Sequence, residues 1–182
     1  MLRLFAALRP PAPVRERLLA TMGGVPGARW QSDEQLHLTL RFIGEVDERT
    51  AEDVAAALGG VRAPAPEVAL AGVGRFGDRR RGWTLWAGVT PHDPLAALHR
   101  KIDQACVRAG LAPERRAYLP HITLARLPRG GGAGAEADRW LADAGGLAGA
   151  PFPLPHLILY RSTLGRDGAQ YDALMRWPLE PS

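Results

Sequence analysis

The stretch Gln35-Leu-His-Leu-Thr-Leu-Arg-Phe42 returns in the second half of the chain as Tyr118-Leu-Pro-His-Ile-Thr-Leu-Ala-Arg126. This repeat constrains the fold more than any other feature. Read as β-strands, the two copies place His37 with Thr39, and His121 with Thr123, on one face, because side chains alternate with period two. Leu38, Leu40 and Phe42, and likewise Ile122 and Leu124, then point to the opposite face as core. One His-x-Thr in a hydrophobic strand would ordinarily be a structural histidine. Two copies in matching apolar contexts, one in each half, are what an internal duplication gives.

A chain of 182 residues is the usual size of one domain and can bury a real core. One domain over residues 1–182 with two similar lobes, each contributing one motif, is therefore expected. Lysine occurs once, at Lys101, while Arg, Ala, Gly and Pro are abundant. This is a compositional bias, and the run Gly130–Gly134 carries little weight. The net charge of +4 and pI near 10.0 attract a polyanion at long range. The cluster Arg79–Arg81 falls in a hairpin loop and reads first as solvated charge. Cys106, the one cysteine, fits a reducing compartment and helix core packing. With no long apolar run or cleavage-site pattern, a cytoplasmic protein without a membrane segment is expected.

Arg3–Leu8 reads as a central strand stopped by the prolines at positions 10, 11 and 13, and Val14–Met22 as a helix. Asp47 is the expected N-cap of a helix through Leu58. Glu67–Val73 and Trp83–Val89 read as strands joined by the loop 74–82. Within them Gly72-Val-Gly74-Arg-Phe-Gly77 spells a dinucleotide-binding pattern, but that pattern needs a helix next, and the chain continues instead into a basic loop and a Trp-rich strand. A helix from Asp93 or Pro94 to about Ala109, the second motif strand, a helix near 136–144 and a hairpin of 152–162 with 169–177 complete the chain. The fold class is α+β: a bilobal, duplicated fold with two antiparallel sheets flanking a central groove and helices on the outside.

The sequence resembles the 2H phosphoesterase superfamily, and within it the RNA 2′,3′-cyclic phosphodiesterases once called 2′-5′ RNA ligases. The likeness rests on both His-x-Thr-Leu motifs and on Arg3–Leu8, His37–Glu45, Trp83–Trp86, Pro120–Arg126, Leu159–Gly165 and Tyr171. It implies a metal-free enzyme without cofactor, a monomer acting on RNA with a 2′,3′-cyclic phosphate end or a related cyclic nucleotide. It also implies weak reversal as 2′-5′ ligation.

Opening a cyclic phosphodiester needs one group to take a proton from water and another to give one to the leaving alkoxide. Histidine suits both, since its unperturbed pKa of about 6.5 makes both protonation states available near neutrality. The hydroxyls of Thr39 and Thr123 can donate to non-bridging phosphate oxygens. The near-symmetric motifs do not say which histidine does which; the resemblance assigns His37 as proton donor to the 3′ oxygen and His121 as proton acceptor from water, leaving a 2′-phosphate. Arg126 matches a family position that contacts the nucleotide, although strict alternation sends it to the face opposite His121 unless a bulge intervenes near Ala125. Arg41 is the competing phosphate contact by parity. Phe5 reads as core, and His92, His99 and His156 as structural or exposed.

Three rivals remain. A metal hydrolase needs further ligands, and neither motif carries an adjacent Asp, Glu or Cys. An ATP-dependent ligase needs a lysine nucleophile, and Lys101 sits in an ordinary helical context. A non-catalytic RNA- or nucleotide-binding module of the same fold would use the same basic charge.

Overall fold

The computed structural model describes residues 1–78, 80–130, 134–166 and 168–181. In chain order the strands are β1 (Leu2–Leu8), β2 (Arg29–Trp30), β3 (Leu38–Val46), β4 (Glu67–Asp78), β5 (Gly82–Thr90), β6 (His121–Leu127), β7 (Phe152–Pro153), β8 (His156–Gly165) and β9 (Gly168–Pro178). The helices are α1 (Ala12–Leu19), α2 (Glu48–Gly59), α3 (Asp93–Arg108) and α4 (Gly134–Ala144), with a 3-10 turn at Asp33–Gln35.

The α+β class and antiparallel pairing hold, but the two expected sheets are joined. Strands run in the order β7-β4-β5-β6-β3-β1-β8-β9, with β2 added beside β6. The two motif strands meet at the middle through one partner pair, Leu38↔Ile122. On either side of this seam the motif strand is flanked by a strand from earlier in the chain (β1 or β5) and then by β8 or β4. The hairpin β4–β5 thus serves the second motif, and β8–β9 serves the first through β1. Exchange of strands between halves binds the duplication into one body.

The helices pack on one face of this sheet. Leu4, Ala6, Leu8, Leu38 and Leu40 join Leu18, Val54, Leu58, Leu95, Leu98, Ile102 and Trp140 in the main core. Phe5, Ala7, Ile158 and Tyr160 form a small second cluster on the other face, the face that carries His37. Asp47 caps α2 as expected, its carboxylate accepting the Thr50 amide at 2.7 Å, and Cys106 is buried in the core.

Two local expectations change. Helix α1 begins at Ala12, two residues before the expected start, with Pro13 in its first turn, where a missing N–H is harmless. The expected loop from Gly74 is strand as far as Asp78, pairing with Gly82–Trp86. Gly74 is there for room: a Cβ would collide with the Trp86 ring. Of the basic cluster, Arg79 lies outside the described residues, while the amides of Arg80 and Arg81 both donate to Asp78 Oδ1 at 2.8 Å. Gly131 and Gly132 of the glycine run, and Asp167 of the last turn, also lie outside.

Arg41 is 8% exposed, and its guanidinium is fully engaged. Nε donates to Asp103 Oδ1 at 2.7 Å, one terminal nitrogen to the Phe42 carbonyl at 2.8 Å, and the other to the Ala112 carbonyl; Glu114 lies 3.6 Å away. Replacing Arg41 by Ala strands these acceptors and is expected to lower unfolding stability by about 3 kcal/mol. Arg126→Ala, at an exposed position, should stay within about 0.5 kcal/mol of the native chain, as read by urea denaturation.

Candidate active site

The seam pair Leu38↔Ile122 is antiparallel, so its register sets His37 across from Thr123 and Thr39 across from His121. Cross-strand neighbours in such a pair have Cβ atoms about 5 Å apart. The two motifs therefore interlock as one patch of two imidazoles and two hydroxyls.

Each ring is oriented in the same way. His37 Nδ1–H donates to the Gln35 carbonyl at 2.7 Å, and His121 Nδ1–H to the Leu119 carbonyl at 2.8 Å. A carbonyl can only accept, so it fixes the proton on Nδ1 and leaves Nε2 as the working nitrogen of both rings. In the neutral ring His37 Nε2 then accepts from the Thr39 hydroxyl at 3.1 Å. Thr123 is half-buried on β6, with Trp86 as its neighbour on β5.

Directly beyond each threonine the strand carries an extra residue, and β3 carries a second one farther on, at Ile43. On β3 the partners of β1 run Ala7↔Thr39 and then Ala6↔Arg41, leaving Leu40 as a bulge. On β6 the partners of β5 run Trp86↔Thr123 and then Leu85↔Ala125, leaving Leu124 as a bulge. A bulge inverts the faces of everything after it. Arg41 therefore turns to the helix side, where α3 supplies Asp103, and the parity expectation of a phosphate contact there is corrected. Ala125 turns into the core and Arg126 emerges on the histidine face. Both bulged carbonyls are satisfied: His99 Nδ1–H donates to that of Leu40 at 2.7 Å, and the Gln31 amide to that of Leu124 at 2.8 Å. His99 stacks on Tyr118, with centroids 4.2 Å apart, and the Tyr118 hydroxyl donates to the Thr39 carbonyl at 3.2 Å. These two side chains hold the first bulge in place.

Aromatic rings wall both imidazoles. Phe5 lies 4.8 Å from His37 and Tyr171 5.2 Å, with Tyr160 at 6.2 Å. Phe76 lies 5.0 Å from His121 and Trp86 6.2 Å. Of these, Phe76 and Trp86 come from the hairpin of the opposite half, which adjacency in sequence does not reveal. Phe5 is buried as expected. Phe42, expected in the core, is 59% exposed because it follows the bulge and occupies the place that Arg126 holds in the second copy. A cavity of about 470 Å³ opens beside His121, lined by Thr39, Phe42, Phe76, Tyr118 and Leu119 among others. A smaller one of about 100 Å³ adjoins Arg126, Gln35 and Tyr171.

Burial, and to a smaller extent the Arg126 guanidinium and the His121 ring, push the His37 pKa down to about 4. His121 is also lowered, first by burial and then by Arg126. Arg126 is thus within electrostatic reach of both rings, and it has no ion-pair partner among the described residues. Among the described residues no group of three or more His, Cys, Asp or Glu side chains is placed to hold a metal ion, and no helix is long and apolar enough to cross a membrane.

A duplicated α+β fold with two His-x-Thr strands joined at a seam defines the 2H phosphoesterases. The chain belongs to the 2′-5′ RNA ligase superfamily, which matches residues 10–166. It is 34% identical over 158 residues to an RNA 2′,3′-cyclic phosphodiesterase of Geobacillus stearothermophilus, covering 85% of this chain and 49% of that one. The chain thus spans about half the length of that relative. It is 30% identical over 152 residues to an RNA 2′,3′-cyclic phosphodiesterase of Aeropyrum pernix, covering 83% of this chain and 85% of the other. A crystal structure of Escherichia coli LigT complexed with 3′-AMP superimposes with a TM-score of 0.73 at 25% identity, covering 98% of each chain.

In the free protein the His37 imidazole should titrate with a midpoint near 4, well below the ordinary histidine value. A bound phosphate favours the charged ring, so saturating a 2′-nucleotide should raise that midpoint. NMR of the ring C–H resonances against pH reads both; a His37 midpoint at the ordinary value in the free protein would contradict the buried site.

Proposed function

We propose that this chain, as a single domain over residues 1–182, is an RNA 2′,3′-cyclic phosphodiesterase that hydrolyses 2′,3′-cyclic phosphate ends to 2′-phosphates. The observation that carries the reading is the interlocked pair of motifs, with both Nδ1 atoms held by backbone carbonyls, which turns Nε2 of each ring to the patch, that of His37 against the Thr39 hydroxyl. The relatives at 34% and 30% identity are named for this activity.

Water attacks phosphorus in line with the 3′ oxygen. His121 Nε2 takes the proton that water loses as the new O–P bond forms. His37, protonated in the complex, gives its Nε2 proton to the 3′ oxygen as the P–O3′ bond breaks. One proton is taken up and one released, so a second proton transfer between the rings and solvent restores the start. In the free protein burial lowers the His37 pKa, so the donor role rests on the bound phosphate anion raising it toward the operating pH. Thr39, Thr123 and Arg126 supply donors and positive charge to the non-bridging oxygens, where negative charge is held in the transition state. Weak 2′-5′ ligation follows the same forward sequence, with an RNA 5′-hydroxyl attacking phosphorus and giving its proton to His121 in place of water.

A short RNA ending in a 2′,3′-cyclic phosphate, incubated with the protein in EDTA, should give only the 2′-phosphate. Ala at His37 or His121 should lower kcat/KM by at least about 10² and leave RNA binding within a few-fold. RNA that binds the native chain but stays uncleaved would select the non-catalytic binding module instead, and a 3′-phosphate product would show that the 2′ oxygen, not the 3′ oxygen, leaves and receives the proton.

A further inference from the structure

The face of the sheet that carries His37 turns basic beyond its aromatic wall. Along β1 this face presents Phe5, Ala7 and then Arg9; along β8 it presents Tyr160, Ile158 and then His156. The register Phe5↔Tyr160 and Ala7↔Ile158 sets the two rows side by side, and Arg176 of β9 lies directly across from Ile158. Arg9, His156, Ile158 and Arg176, with Arg15 of α1, line a cavity of about 290 Å³.

Its charge is not balanced. Asp33 is shared by two arginines, Arg9 at 3.0 Å and Arg15 at 2.8 Å. Arg176 donates to His156 Nδ1 at 2.9 Å, a ring whose pKa is lowered by burial and then by Arg176 itself, so that pair keeps the full guanidinium charge. Arg9 Nε is buried without a hydrogen-bond partner among the described residues, a donor whose desolvation is not offset there. Three guanidinium groups thus face one carboxylate.

The place of this cavity says what it would hold. The Tyr160 ring is 6.2 Å from His37, and Ile158 is one two-residue step, about 7 Å, farther along the strand. A 2′,3′-cyclic phosphate terminates an RNA, so every other phosphodiester lies on its 5′ side. An unstacked strand crosses this distance within its last nucleotides.

We propose, resting on the phosphodiesterase reading above, that Arg9, Arg15, Arg176 and His156 form a second phosphate subsite that takes an internal phosphodiester of the RNA, 5′ to the reacting end. The subsite reads the backbone and not the bases. It makes an oligonucleotide a better substrate than a cyclic mononucleotide, which cannot reach it.

The test compares a trinucleotide ending in a 2′,3′-cyclic phosphate with a cyclic mononucleotide, in the native chain and in Arg176→Ala and Arg176→Glu. Arg176 is exposed and outside the catalytic patch, and circular dichroism checks that both variants fold. Arg176→Ala should raise KM for the trinucleotide about tenfold, Arg176→Glu should raise it more, and the mononucleotide should be unchanged. The slope of log affinity against log salt for the trinucleotide should fall by about one. Equal effects on both substrates, or none on the trinucleotide, would overturn the subsite. Should the native chain cleave neither substrate, the phosphodiesterase reading fails, and the subsite is read separately by fluorescence anisotropy of a labelled trinucleotide ending in a 2′-phosphate. Weaker binding to Arg176→Glu than to the native chain supports it, and equal binding overturns it.

Discussion

One backbone pairing, Leu38 with Ile122, carries the candidate site. The two halves of the sheet touch through it, and its antiparallel register brings each histidine opposite the other motif's threonine. A slip of one residue would send one histidine to the helix side. Leu38 and Ile122 are both fully buried, so the hydrophobic core that resists such a slip is also what aligns the two histidines and two threonines. Exchange of the hairpins between halves secures the seam further, since neither half can leave without unpairing strands on both sides.

The paired bulges at Leu40 and Leu124 then sort the residues beyond them. The same local irregularity sends Arg41 to a carboxylate on α3 and Arg126 to the groove, giving two arginines in corresponding stretches opposite duties. Duplication supplied the symmetry, and the side chains after each bulge broke it: Phe42 offers an apolar wall where Arg126 offers charge. The first bulge is held from behind by His99 and Tyr118, which gives a structural reason for a histidine outside the motifs.

Much of this was legible in the sequence. Period-two alternation located both motif strands, the Asp47 cap and helix α3 followed local rules, and the resemblance named the chemistry. The parity rule failed after each threonine because a bulge is a pairing property: an extra residue is defined only against its partner strand, and β1 and β5 are not visible as partners in a linear reading. The loop expected from Gly74 failed for a related reason, since glycine there makes room for Trp86, which approaches from the next strand. The Phe76 and Trp86 walls and the basic cavity around Arg176 likewise arise from exchanged hairpins whose residues are distant in sequence. The two expected sheets became one because a single buried pair suffices to join them.

Aromatic rings around the two half-buried imidazoles lower both pKa values, and a bound phosphate would act in the opposite sense. The central claim is that the two rings work as one unit. The most direct measurement is kcat/KM on a cyclic-phosphate-ended RNA for His37→Ala, His121→Ala and the double variant. Groups that act together lose nearly everything with the first deletion, so the double variant should fall within a few-fold of the worse single one. A double variant whose loss is the product of the two single losses would mean that the histidines contribute independently, and would contradict the account.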